Sequence, residues 1–250
     1  MKEIKLFLSW QAPSNRKWLP VGLLTFDGSI FRFTYTQGAL IANETFGFMP
    51  PRTFPDLFQT YESDELFPLF ANRRISPSRP EFEDFVQWLN IPKDKDDPLA
   101  LLARSGGRRA TDTFEVFPCP EIDSQGQYHI HFFSHGLRHL PDVSVNRIGK
   151  LSEGEKLYLA IDFQNEYDGR ALILRTQDNH IVGYCPRYLL DDAYSLLDHS
   201  KEQEQMLEIV VERTNLAPAP LQFRLLCSLL RRFFCSLLRS LLCSNSFFSF

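Results

Sequence analysis

The chain has 250 residues, 44% of them hydrophobic and 23% charged, an ordinary balance for a globular protein with room for one large domain or two small ones. The net charge of −4 is unevenly spread: residues 120–215 carry nine basic and 16 acidic side chains, and residues 216–250 carry four Arg and no acid. A middle third at net −7 excludes broad coating of a duplex, because phosphate neutralisation needs a basic face; nucleic-acid contact there has to be local. Met1–Trp10 lacks a cleavable apolar run, and the cysteines at 119, 185, 227, 235 and 243 form no CxxC pair. This pattern predicts a reducing, cytoplasmic setting without a zinc ribbon.

In chain order, Lys2–Trp10 alternates Ile4, Leu6 and Leu8, which predicts a half-buried strand. Val21–Phe26 and Ser29–Tyr35 flank Asp27-Gly28, a hairpin signal because Gly tolerates positive φ. Ser78–Leu89 predicts a helix capped by Ser78, with Phe82, Phe85, Val86 and Leu89 on one face. Asp97–Arg104 predicts a second, capped by Asp97 and stopped at Gly106-Gly107. Two prolines, a glycine and an acidic cluster within 111–126 place a domain boundary there.

Beyond it, His129–Phe133 and Lys156–Ile161 read as strands, and Ala171–Arg175 and His180–Tyr184 as a hairpin around Gln177-Asp178-Asn179. Pro186–Leu197 reads as a helix and Met206–Arg213 as a last strand. Short strands around one helix suggest a small barrel over 127–214. From Asn215 a Pro-rich hinge leads into LLCSLLRRFFCSLLRSLLCS, whose tetrads are low complexity. Read as a helix, the apolar stripe drifts by about 40° per tetrad and holds no single face. Residues 215–250 are therefore predicted to be an appended tail. A surface helix is the alternative, and a membrane span is disfavoured by Arg231-Arg232.

Four segments occur in one order: HGLRHL (135–140), LSEGEKLYLAID (151–162), QNEYDGRALIL (164–174) and IVGYCPRYLL (181–190). This middle region resembles the HIRAN domain, whose pattern has a Gly-x-Arg-Tyr opening, an Asn-x-Tyr-Asp turn and a Gly-Tyr-x-Pro strand end. The resemblance implies an oligonucleotide-binding-like β-barrel that takes single-stranded or damaged DNA, in some relatives at a 3′ end. It assigns DNA contact to Arg138, Asn165, Tyr167 and Asp168, with Arg187 as a further cation and His139 where the family has a stacking Tyr. An aromatic ring stacks on an unpaired base, and a carboxylate accepts from a terminal hydroxyl that an internal phosphodiester lacks. Each residue also has a plain structural role: Asp168-Gly169 is an ordinary turn that Asn165 could cap, and Tyr167 could simply pack.

More loosely, VGLLTFDGSIFRFTY (21–35), SDELFPLFANRRISP (63–77) and DPLALLARSGG (97–107) resemble the amino-terminal subdomain of HipA-type toxin kinases. No kinase catalytic loop follows, and there is no G-x-x-x-x-G-K-[ST] loop. His129, His131, His135 and His139 lack a nearby carboxylate or thiol to complete a metal site, so no metal or cofactor is assigned. Ser105–Arg109 could meet phosphate but equally ends a helix, and no nucleophile–base pair stands out for catalysis.

The sequence thus predicts an α+β, mostly β chain. A HipA-N-like β/α domain (1–120) precedes a HIRAN-like barrel (127–214) and a tail (215–250). The predicted function is that of a non-catalytic accessory protein whose partners are single-stranded DNA or DNA ends. The alternative is a protein-interaction regulator in a toxin–antitoxin or phage-defence system, with a HipA-type kinase as partner. The third reading is a targeting module for a helicase, nuclease or other hydrolase.

Overall fold

The computed structural model describes residues 3–91, 97–119, 121–122, 127–191, 193–194 and 207–232. These residues form two compact units, one from residues up to 86 and from 91–119, the other from 87–90 and the described residues after 120.

The first unit is built on a five-stranded antiparallel sheet. Its strands are β1 (Ile4–Gln11), β2 (Trp18–Phe26), β3 (Phe31–Tyr35), β4 (Tyr61–Ser63) and β5 (Phe114–Pro118), in the order β4-β3-β2-β1-β5. The alternation of β1 puts Leu6 and Leu8 in the core with Val21, Leu24, Phe33, Phe48, Phe54 and Phe70. The Asp27-Gly28 step joins β2 to β3 with Phe26 opposite Phe31, and Gly28 has φ +103°. Helix α1 (Gln37–Phe46), which the sequence reading did not foresee, and α2 (Pro68–Ala71) follow. The expected helix at Ser78–Leu89 is shorter, α3 (Phe82–Trp88); Ser78 bonds the Ser76 hydroxyl instead of capping a helix. Helix α4 (Pro98–Ser105) starts as expected, with the Asp97 carboxylate accepting from Leu99 and Ala100 N–H, and ends at Gly106 with φ +75°.

The second unit is a seven-stranded antiparallel sheet curled into a half-barrel. Its strands are β6 (Glu121–Ile122), β7 (Gln127–Phe133), β8 (Lys156–Ile161), β9 (Leu172–Arg175), β10 (Ile181–Tyr184), β11 (Leu207–Thr214) and β12 (Leu225–Arg232). Their order is β10-β9-β8-β11-β12-β7-β6. The β10 end meets the chain leaving β7 through one reciprocal backbone bridge: His135 N–H donates to Tyr184 C=O and Tyr184 N–H to His135 C=O, both 2.9 Å. Two glycines permit this approach. A Cβ on Gly183 (φ +133°) would lie 1.8 Å from Ser134 Oγ, and one on Gly136 (φ +74°) 2.7 Å from the Tyr184 ring. The concave face buries Ile130, Phe132, Leu157, Leu172, Leu174, Val182, Ile209, Val211, Leu225, Cys227 and Leu229.

Two expectations are corrected here. The tail does not begin at 215, because Leu225–Arg232 is β12, paired with β11 on one side and β7 on the other. Leu225, Leu226 and Cys227 are fully buried and Leu229 nearly so. The repeat that holds no single helix face suits a strand: Leu225, Cys227 and Leu229, at alternate positions, point into the core, while Ser228 and Leu230 on the other side are only partly buried. Residues 233–250 lie outside the described residues. A helix that the sequence reading did not foresee, α5 (Asp142–Ile148), lies between β7 and β8. Its β-branched Val143, Val145 and Ile148 are weak helix formers, which hid it. The expected helix at Pro186–Leu197 is a 3-10 turn, Arg187–Leu189, running into helical residues at 190–191 and 193–194; 195–197 lie outside the described residues.

Candidate functional site

The turn between β8 and β9, residues 162–170, holds three of the residues singled out above. Its backbone is fixed by its own side chains. Asn165 Oδ1 accepts from the N–H groups of Tyr167 and Asp168, both at 3.0 Å, and Asn165 Nδ2 donates to Asp162 at 3.2 Å. Asp162 accepts from Gln164 N–H through one oxygen and from the Tyr184 hydroxyl, at 3.1 Å, through the other. Asp168 Oδ1 accepts from Arg170 N–H at 3.0 Å, and Ala171 N–H closes the turn on the Asp168 carbonyl. Short polar side chains that capture the N–H two or three residues on make such turns rigid.

Arg187, on the 3-10 turn after β10, reaches this turn. Its Nε is 2.8 Å from Asp168 Oδ2, and an Nη donates to the Tyr167 carbonyl at 3.3 Å. The pair is partly exposed, so it is worth no more than about 1 kcal/mol and gives way readily to another anion. The Tyr167 ring is 80% exposed, and Phe163 of the same turn is 88% exposed. Burying such a ring is worth about 1.5–3 kcal/mol, so folding alone gains nothing from either position.

Arg138 and His139 are both exposed, on the Leu137–His139 turn that follows the His135–Tyr184 bridge. Arg138 Nε donates to His139 Nε2 at 2.9 Å, which fixes that nitrogen as an acceptor. The structure thus brings Asn165, Tyr167, Asp168 and Arg187 into direct contact. Arg138 and His139 pair with each other, and a covalent and hydrogen-bonded path through His135, Tyr184 and Asp162 joins them to the turn. Tyr184 is half-buried. Burial first, then its bond to Asp162, raises its hydroxyl pKa, so it stays a neutral donor.

The sequence reading weighs Asp162, with Glu166 and Asp168, only as a carboxylate cluster for nuclease chemistry; it misses the role of Asp162 as the acceptor where the Asn165 and Tyr184 bonds converge, and the exposed ring of Phe163. Asp162 ends a strand and invites a turn residue, whereas the exposure of Phe163 has no sequence signal. Asn165, expected to face a base, spends its carbonyl oxygen on the turn.

The crowded histidines have separate partners. His131 Nδ1 contacts the Glu212 carboxylate, His135 bridges Tyr184 through its backbone, and His139 accepts from Arg138. Among the described residues no group of three His, Cys, Asp or Glu could hold a metal ion, and no helix is long and apolar enough to cross a membrane. A depression of about 520 Å³ elsewhere on this unit is lined by Arg147, Glu155, Lys156, Tyr158, Gln177 and Asp178. Its charges are matched within it or beside it: Arg147 pairs with Glu155 and Asp178, and Lys156 with Glu208. In the first unit, Ser105–Arg109 serves its own fold. Gly107 C=O accepts from buried Arg73, and Arg108 pairs with Glu115 and lies over the Trp18 ring.

Residues 127–229 match the HIRAN domain. That match runs past the expected end at 214 and takes in most of β12, as the sheet does. Two solved structures are similar to this part of the chain. A protein from Lactobacillus plantarum is 23% identical over 42% of this chain and 97% of its own, with a TM-score of 0.32. The HIRAN domain of human HLTF is 18% identical over 41% of this chain and 74% of its own, with a TM-score of 0.30. No curated protein matches the chain. The HIRAN match begins at residue 127 and does not reach the first unit.

Proposed function

We propose that the HIRAN unit binds single-stranded DNA at a free 3′ end, with the turn 162–170 as its contact. The observation that carries this reading is the Tyr167 ring, 80% exposed on a turn whose backbone is locked, directly beside the Asp168–Arg187 pair. Tyr167 stacks on the terminal base, a contact worth roughly 1–3 kcal/mol. Asp168 accepts from the terminal hydroxyl through the lone pairs left over by Arg187 and Arg170, and repels a phosphate in the same place. Arg187 and Arg138 meet the phosphate behind it, His139 adds a smaller stacking surface, and Asn165 positions the turn. Few cations are engaged, so log affinity falls with log salt at a slope near −0.7 per phosphate, about −1 in total.

The test is anisotropy with labelled oligonucleotides that end in a 3′ hydroxyl or a 3′ phosphate. The reading expects preference for the hydroxyl, and Asp168→Ala is expected to erase the preference while keeping part of the affinity. Absence of single-strand binding at low salt overturns it.

A second reading concerns the first unit alone, where Met49 and Phe58 stand 82% and 84% exposed. With the HipA-like segments, they support a regulator that engages a HipA-type kinase, which co-purification from cells carrying such a kinase would test.

A further inference from the structure

Phe163 is the most exposed large hydrophobic residue among those described, more so than Tyr167 four positions on. The turn is closed at both ends by Asp162 N–H to the Ala171 carbonyl and by Ala171 N–H to the Asp168 carbonyl, and Asn165 N–H is held by the Asp162 carbonyl. The next residue, Gln164, is tied by its N–H to the Asp162 side chain. Phe163 is thus held outward by a hydrogen-bonded backbone on each side of it. Ile161, immediately before, is also exposed, at 37%.

The charge around Phe163 is net negative, so affinity at this position has to come from stacking on a base and not from phosphate contact. Of the three acids on this turn, Asp162 is engaged by Asn165 and Tyr184, and Asp168 by Arg187; Glu166 stands exposed. Arg170, at the turn's end, is more than half exposed, with Asp191 as its partner. The two rings are four positions apart in the chain, so their Cα atoms lie at most about 14 Å apart even at full extension, and closer in a closed turn.

We infer that Phe163 is a second stacking ring, taking the base next to the one held by Tyr167, so that the turn recognises a dinucleotide step of single-stranded DNA. The inference rests on the DNA reading above and extends its footprint by one base. A phenyl ring has a π-face and no hydrogen-bonding group, so this second position takes any base. Discrimination at the end stays with Asp168.

The experiment measures binding of thymidine oligonucleotides with one, two and four residues and free 3′ hydroxyls to the full chain and to Phe163→Ala, Phe163→Trp and Phe163→Leu. The wild type should gain affinity from one residue to two. Phe163→Ala should lose roughly 5- to 150-fold on two and four residues, the loss of one stack, with affinity for the mononucleotide unchanged. Phe163→Trp should bind at least as well as wild type. Phe163→Leu, apolar without a π-face, should behave as Phe163→Ala. Thermal unfolding should be the same for all four proteins, since the ring touches solvent. If the wild type binds these oligonucleotides and Tyr167→Ala weakens them while Phe163→Ala does not, this inference fails and the DNA reading stands. Equal loss on the mononucleotide also overturns it, by showing that Phe163 acts through the turn. If the wild type binds none of them, both fall together.

Discussion

The chain contains two Asp-Gly turns with nearly the same polar framework and opposite treatment of their aromatic rings. At Asp27-Gly28 the carboxylate accepts from the N–H groups of Ser29 and Ile30 and pairs with Arg32, which holds it well below the usual carboxylate range. The flanking Phe26 and Phe31 stack on each other with centroids 4.2 Å apart. At Asp168-Gly169 the carboxylate accepts from Arg170 N–H and pairs with Arg187, yet Tyr167 and Phe163 point into water. The first turn completes its own contacts and serves folding. The second has the same rigidity with two rings left over, and a rigid turn that leaves rings over is poised for a ligand. Polar geometry alone does not separate a structural turn from a binding turn; the disposition of the apolar surface does.

The comparison holds only if the sheet beneath the second turn is intact, and β12 carries the largest expected effect. Leu229→Ala should cost about 2–5 kcal/mol of the second unit's stability in a denaturant titration, because Leu229 is buried between two paired strands. A midpoint unchanged from wild type would return this segment to the status of an appended tail.

The units should also part in their response to pH. Glu115, in the first unit, is buried, and burial lifts its carboxyl to about 7 against the pull of Arg108. The group's ordinary value is 4.5. Between those values the folded unit holds the proton and the unfolded chain does not, so stability falls as pH rises through the window and the loss is complete above it. The fall is on the order of 3 kcal/mol. Glu115→Gln should flatten it, as urea midpoints at pH 5 and pH 8 would report.

Exchanging the two kinds of aromatic position gives the next effect. Phe26→Ala should lower stability by about 1–2 kcal/mol, the stack plus part of its burial, and leave oligonucleotide binding alone. Tyr167→Ala should do the reverse, with no change in unfolding and a binding loss of roughly 1–3 kcal/mol. Smallest is Asn165→Ala, which leaves the N–H donors of Tyr167 and Asp168 without their acceptor at an exposed turn. It should cost about 1 kcal/mol of stability and a comparable part of the binding energy.

What the sequence made legible follows from local chemistry. The hairpin at Asp27-Gly28, the Asp97 cap and strands β7 to β11 are written in neighbouring residues, as is the Asn165-x-Tyr167-Asp168 turn. The fate of Leu225–Arg232 was not, because its repeat satisfies no helix face and its meaning depends on partners β7 and β11, which only the folded sheet supplies. Helix α5 was hidden by Val143, Val145 and Ile148, whose preference for strands is overridden by packing of Ile148 into the core. In the site, the residue types and the turn-capping alternative for Asn165 were legible, but one pairing was not: Arg187 finds Asp168 only because β10 ends beside the turn.

The most direct measurement is backbone amide chemical-shift mapping of the full chain during titration with a short single strand that ends in a 3′ hydroxyl. The account predicts that the amides of residues 163–170, with 138–139 and 187, move together and saturate at one concentration, while those of 26–31 stay still. Shifts centred instead on the depression lined by Arg147 and Lys156, or shared equally by both Asp-Gly turns, would contradict it.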